Sequence, residues 1–231
     1  MSTIHFIGGE KGGVGKSVVA RLVAQYCIDR ALPFVALDAD GSHGSLLRHY
    51  AEHSRPVDLT RFESADDIIA LATETERRVV VDLPAQSERP LFAWITESGV
   101  LDLARECGIE LVLWHVMDDG KDSLLTLDRL LKRGGTAARY CIVKNQGRGK
   151  DFSLFDRSPT QATAEAQGAV VLDLPELHPA AMQKIDHLDV SFWAAVNNPA
   201  IGGETFTRMD RQRVKVWLQS VFDQLARADV I

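Results

Sequence analysis

Residues 10–17 read EKGGVGKS, three glycines bracketed by Lys11 and Lys16, directly after the apolar run IHFI at 4–7. Residue types in that order can hold phosphate. Glycine reaches positive φ and lets the backbone approach a ligand closely, so successive N–H groups converge on phosphate oxygens. A helix starting near Lys16 adds its positive end to the same field. In this reading Gly12, Gly13, Val14 and Gly15 supply the backbone cradle. Lys16 is a mobile point charge for the β and γ phosphates, and Ser17 offers a hydroxyl to Mg²⁺. The strict pattern G-x-x-x-x-G-K-[ST] is missed by one residue, because position 10 is glutamate. A flexible turn ahead of a helix does not require the GKS triplet, so the stretch predicts a site for the phosphate tail of a nucleotide.

Further polar residues stand where apolar runs stop: Asp38 after PFVAL, Asp82 after RRVVV and Asn145 after ARYCIVK. An aspartate at the tip of an apolar strand fits a group that holds Mg²⁺ through water. Asp38 and Asp40 form a D-x-D pair at the end of the second run. The side-chain amide of Asn145 offers a donor and an acceptor to a base edge.

These groups need a scaffold that gathers strand ends. Runs at 4–7, 33–38, 77–84, 109–116, 138–145 and 169–175 read as strands, and 18–28, 64–72, 123–135 and 211–225 as helices. Ser64 is expected to cap the second helix and Gly134 to close the third. A short strand is also placed within 56–62, and 145–159 is read as an excursion from the sheet. The strands are continuously apolar rather than two-faced, and they alternate with helices. That predicts an α/β fold, one domain over 1–231 with a mostly parallel sheet and helices on both faces. Ligands of such sheets bind outside the carboxyl ends of the strands, where Asp38, Asp82 and Asn145 all fall.

KGGVGKS at 11–17, behind an N-terminal strand, resembles the deviant Walker A loop of the ParA/MinD family of P-loop ATPases, whose signature K-G-G-x-x-K-[ST] opens on a lysine. The resemblance is tight over 4–40, fair at 79–84 and thin over 86–135. It implies a P-loop NTPase fold, ATP and Mg²⁺ as cofactors, hydrolysis to ADP and phosphate, and an ATP-dependent homodimer with the nucleotide sandwiched between copies. It also implies that Lys11 reaches the phosphates of the partner copy, where a second cation would offset charge on the transferring group. By the same resemblance Asp40 orients or deprotonates the attacking water, while Asp38 supports Mg²⁺-bound water or the loop itself. Asn145 would contact adenine, and Pro175, within DLPEL at 173–177, would lie near the ring. Two departures fall in the segments that sense the γ phosphate. Asp40 is followed by Gly41 and Ser42 where the family continues P-Q. After this aspartate the family has a short segment ending in glycine; here Asp82 is followed by LPAQSE, with Gln86 and Ser87 where more flexible residues would be expected. An altered response to the γ phosphate is expected, with Gly44 supplying mobility in the first loop.

The family serves plasmid or chromosome partition, mobilisation and protein positioning, which implies a protein partner at the switch loops. Two other readings stay open: an amidating synthase related to cobyrinic acid diamide synthesis, and a nucleotide-binding scaffold with negligible turnover. No cysteine has a glutaminase context, which counts against a self-contained synthase. A net charge of −6 does not advertise nucleic-acid binding, although the cations of KNQGRGK at 144–150 leave non-specific DNA contact open. Cys27, Cys107 and Cys141 are odd in number and lack C-x-x-C spacing. They argue against a disulfide framework or zinc site and are read as small buried residues. No histidine shows metal-ligand spacing; His5 is expected in the core, and His43 and His49 flank the first switch. No leader or long apolar span is evident, so the cytoplasm is the expected setting. The stripe Val214, Trp217, Leu218, Val221, Phe222 and Leu225 on the last helix could lie on a membrane. Acidic Asp223 and Asp229 favour docking against the sheet instead, so membrane attachment is not expected.

Overall fold

A computed structural model of the chain describes every residue except 42, 43 and 204; the expectations for Ser42 and His43 therefore lie outside the described residues. Strands β1 (Thr3–Gly8), β2 (Phe34–Asp38), β3 (Ser54–Pro56), β4 (Arg78–Asp82), β5 (Glu110–Met117), β6 (Arg139–Asn145) and β7 (Val170–Leu174) form one sheet in the order β3-β2-β4-β1-β5-β6-β7. Every pairing is parallel. The helices are α1 (Lys16–Asp29), α2 (Ser45–His49), α3 (Phe62–Glu74), α4 (Glu88–Glu97), α5 (Val100–Glu106), α6 (Lys121–Gly134), α7 (Ser153–Asp156), α8 (Pro159–Ala166), α9 (Pro179–His187), α10 (Phe192–Asn197) and α11 (Arg208–Ala228).

The continuous apolar strands follow from burial on both faces. Successive residues point to opposite faces, so Ile7, Val80, Val112, Trp114 and Val116 join α1, α10 and α11 in one core. Their neighbours Phe6, Val79, Val81, Leu111 and Leu113 join α3, α4 and α6 in the other. β1 lies between β4 and β5, at the centre of the sheet. Its register sets Ile7 beside Asp82 and Gly8 beside His115, while β2 and β4 pair Asp38 with Asp82. The ends of β1, β2 and β4 are therefore level, and the loop leaving Gly8 starts next to both aspartates.

Several local expectations change. Ser64 does not cap α3: the helix starts at Phe62, and the Ser64 hydroxyl accepts from the Asp58 N–H at 2.9 Å. Gly135, at φ 56°, rather than Gly134, ends α6. The short strand lies at Ser54–Pro56, ahead of 56–62. The segment 145–159 carries α7 and the start of α8. Cys27 and Cys141 are buried, but Cys107 is exposed at the end of α5. α11 docks as expected, burying Val214, Trp217, Leu218, Val221, Phe222 and Leu225. His5 is fully buried, and its Nδ1 accepts from Trp114 Nε1. His49 is buried with its Nδ1 2.8 Å from the Ser45 carbonyl oxygen. No helix among the described residues is long and apolar enough to cross a membrane.

Candidate functional site

Residues 9–15 join β1 to α1. Gly13 at φ 78° and Gly15 at φ 102° hold left-handed conformations that an L side chain would strain. A side chain at Gly12 or Gly13 would project into open space. α1 starts at Lys16, and the first N–H groups of a helix have no partner within it. Val14 contributes through its backbone, since its side chain is buried in the core. Lys16 is buried at the head of α1, and its ammonium donates to the Lys11 carbonyl at 3.1 Å. Burial lowers the Lys16 pKa, against the opposing charges of Asp82, Glu10 and Asp40. These three carboxylates thus stand within electrostatic reach of the loop's cation.

Asp82 is 1% exposed, and both its oxygens are buried without a hydrogen-bond partner. Burial pushes its pKa up to about 7, with the Ser17 hydroxyl acting in the opposite sense and the Asp38 charge adding to the rise. Ser17 stands beside it without closing a bond of normal geometry. A desolvated carboxylate to which nothing donates is a place for a cation. Among the described residues no group of three or more His, Cys, Asp or Glu could hold a metal ion. An ion at Asp82 would therefore draw most of its oxygens from a ligand and water, the usual habit of Mg²⁺ at phosphates.

Asp38 is buried and fully engaged. One oxygen accepts from the Asp40 N–H at 3.1 Å, the other from Leu46 at 2.8 Å and Leu47 at 3.3 Å. Of its two expected roles, anchoring the loop is the one with contacts. Asp40 is half-buried, its carbonyl accepts from the Gly44 N–H, and its charge is felt by Lys16 and Asp82. The Lys11 side chain is engaged at the end of β5. Its ammonium pairs with Asp118 at 2.5 Å, and that bond raises its pKa. Asp118 follows β5 and also accepts from Ser123 Oγ and the Gly120 N–H.

On the far side, Asn145 donates from Nδ2 to the Val14 carbonyl at 2.7 Å and accepts at Oδ1 from the Gly147 N–H at 3.0 Å. The amide fastens the phosphate loop to the end of β6, and a Cβ on Gly15 would come within 2.3 Å of it. Register places Asn145 beside Leu174, next to Pro175. Asn145, Pro175, Gly15, Met182 and Trp217 line a cavity of about 250 Å³. The Pro175 carbonyl accepts from Trp217 Nε1 at 2.7 Å, which pins that wall to α11.

MinD from Pyrococcus horikoshii OT3, solved with Mg-ADP, superposes with a TM-score of 0.53 over 100% of both chains at 15% identity. This chain has the MinD-type P-loop fold. No family model matches the sequence. Protein TraL from Escherichia coli is 26% identical over 242 residues, covering 100% of each chain. Protein MobD from Acidithiobacillus ferrooxidans is 25% identical over 230 residues, covering 96% of this chain and 99% of MobD.

Within the MinD-type fold, Gly12, Gly13, Gly15, Lys16, Ser17, Asp38, Asp40 and Asp82 converge on one end of the sheet, and Asn145 and Pro175 adjoin them across Gly15. Lys11 opens the same loop but is turned to Asp118. Asp118 was missed from sequence, although the strand-end rule that finds Asp38 and Asp82 applies equally to the first polar residue after β5. Gln86, in the segment after Asp82, takes φ 60°, a left-handed conformation that favours glycine.

Proposed function

We propose that the chain is a Mg²⁺-dependent ATPase whose ATP-bound form dimerises around the nucleotide and serves partition, mobilisation or the positioning of another macromolecule. The observation that carries this reading is Asp82, a buried carboxylate with both oxygens unpartnered, level with the phosphate loop and next to Ser17 and Lys16. MinD of the same fold was solved with Mg-ADP, and TraL and MobD match over nearly their whole length.

In this reading the loop N–H groups and Lys16 bind the β and γ phosphates, while Asn145 and Pro175 flank the adenine. Ser17 and Asp82 hold Mg²⁺, which neutralises charge on the phosphate oxygens when bound. Asp38 fixes the loop that carries Asp40, and Asp40 orients water for attack on the γ phosphorus, releasing ADP and phosphate. Lys11 supplies charge to the nucleotide of the partner copy. All 231 residues act as one domain in the cytoplasm, and the loops after β2 and β4 present the nucleotide state to a protein partner. Lys144 pairs with Asp156 and Asp173, and Lys150 with Glu176, so non-specific DNA contact is a minor part of the reading.

One observation favours the scaffold alternative, a chain that binds nucleotide with little turnover: Lys11 is held within its own chain by Asp118. Sizing the protein with ADP, ATP and a nonhydrolysable analogue, while following phosphate release, separates the two. The ATPase reading expects ATP and the analogue to give a dimer, ADP a monomer, and phosphate release that Asp40→Ala abolishes. Dimerisation with phosphate release unaffected by Asp40→Ala would favour the scaffold. A species unchanged by any nucleotide would overturn both.

A further inference from the structure

Glu10 is the residue that breaks the strict phosphate-loop pattern, and it makes a contact that glycine could not. Its carboxylate accepts from the N–H of Glu88, the first residue of α4, at 2.7 Å and 78 positions away in sequence. Its main-chain carbonyl accepts from the Gln86 N–H at 3.3 Å. α4 has no cap of its own, because Ser87 ahead of it makes no side-chain capping bond. A carboxylate on the first N–H of a helix is favoured by the helix dipole and by the charge on the acceptor.

The segment held in this way begins directly after Asp82. Within it, Gln86 sits at φ 60°, a conformation that residues other than glycine keep only when their surroundings impose it. Ser87 is buried, which fixes the segment from below. On its other side Glu10 is in electrostatic reach of Lys16. One residue therefore touches the phosphate loop, the segment after Asp82 and the start of α4. Phosphates arriving at Lys16 add negative charge beside the Glu10 carboxylate and draw the ammonium toward themselves. Both effects fall on the Glu10–Glu88 bond.

We propose that Glu10 is a positioning residue that couples the phosphate loop to residues 83–88 and α4, so that the charge of the bound nucleotide is passed to the start of that helix. The nucleotide part rests on the function proposed above; the tether itself does not.

Amide hydrogen exchange over 84–92 tests this in wild type, Glu10→Ala and Glu10→Gln, each without nucleotide, with MgADP and with a magnesium-bound nonhydrolysable ATP analogue. Without nucleotide, Glu10→Ala should exchange about tenfold faster at 86 and 88, and Glu10→Gln, which keeps an acceptor, should stay within about threefold of wild type. Wild type should show different exchange with the two nucleotides. Glu10→Ala should lose that difference while still binding MgADP saturably, the mark of a site that is present but uncoupled. A residue that merely stabilised α4 would speed exchange and leave the nucleotide difference in place; that result overturns the proposal, as does wild-type exchange in Glu10→Ala without nucleotide. If wild type binds neither nucleotide, the functional reading falls and the coupling with it, while the nucleotide-free comparison still tests the tether.

Discussion

At the scale of residues, the two lysines of EKGGVGKS have different surroundings, and substitution separates the roles proposed for them. Lys16 is buried under the loop, so Lys16→Ala should weaken MgATP binding about 100-fold by calorimetry, the loss of a charged contact to phosphate. Lys11 lies outside that contact, so Lys11→Ala should leave affinity within about threefold but remove dimerisation or turnover. If neither changes, the role given to Lys11 is wrong. Its pairing with Asp118 yields a third expectation: Asp118→Ala frees the ammonium and should raise phosphate release several-fold, about the effect of losing one partly exposed ion pair. Unchanged release would make that pair incidental. Gly12 to Ser17, Asp38, Asp40 and Asp82 were legible because their spacing is local or they end an apolar run. The bonds from Asp118 to Lys11 and from Glu10 to α4 span 107 and 78 positions, and no local pattern records contacts of that range. Asn145 was legible as a strand-end amide, but its hold on the Val14 carbonyl depends on the crossing of two chain segments.

At the scale of elements, the long strands were readable because both their faces are buried and their composition is apolar throughout. β3 escaped its exact place because it is a short edge strand with exposed Arg55 and Pro56. α4 escaped because its cap comes from a distant loop. α11 was readable from its stripe, but the device that starts it was not. Thr207 and Asp210 form a reciprocal capping box, and Asp210 also pairs with Lys184 at 2.7 Å and Arg213 at 3.3 Å. Burial alone would raise the Asp210 pKa, but Lys184 and Thr207 outweigh it and hold it at about 2. Asp210→Ala should cost about 2 kcal/mol or more through the lost cap and the stranded Lys184, seen as a fall in Tm of about 4–8 °C. A carboxylate depressed in the folded state stabilises above its ordinary pKa. The gap between wild type and Asp210→Ala should therefore close as pH falls from about 4 toward 2. A gap that stays constant across that range would remove the ion pair from the explanation.

At the scale of the whole molecule, one parallel sheet with a core on each face delivers β1, β2 and β4 level at one edge, and the site is a consequence of that register. The fold class was legible because the alternation of strands and helices runs along most of the chain; the strand order was not, since it depends on which buried strands pair. The central strands also carry two histidines that burial keeps neutral: His5, lowered to about 3, and His115, lowered to about 4. Below about pH 6.5 the unfolded chain takes up protons that the folded chain refuses. Stability should thus fall progressively from there downward, and His5→Phe should flatten that slope in acid-denaturation curves. An unchanged slope would mean that His5 gains a proton without unfolding. The most direct test of the phosphate-loop site is calorimetry of the folded protein with a nonhydrolysable ATP analogue, in Mg²⁺ and in EDTA. Saturable binding that weakens about tenfold or more without the ion is the predicted result, since the cation proposed between Ser17 and Asp82 would then be absent. Well-folded protein that binds no nucleotide in either buffer would contradict it.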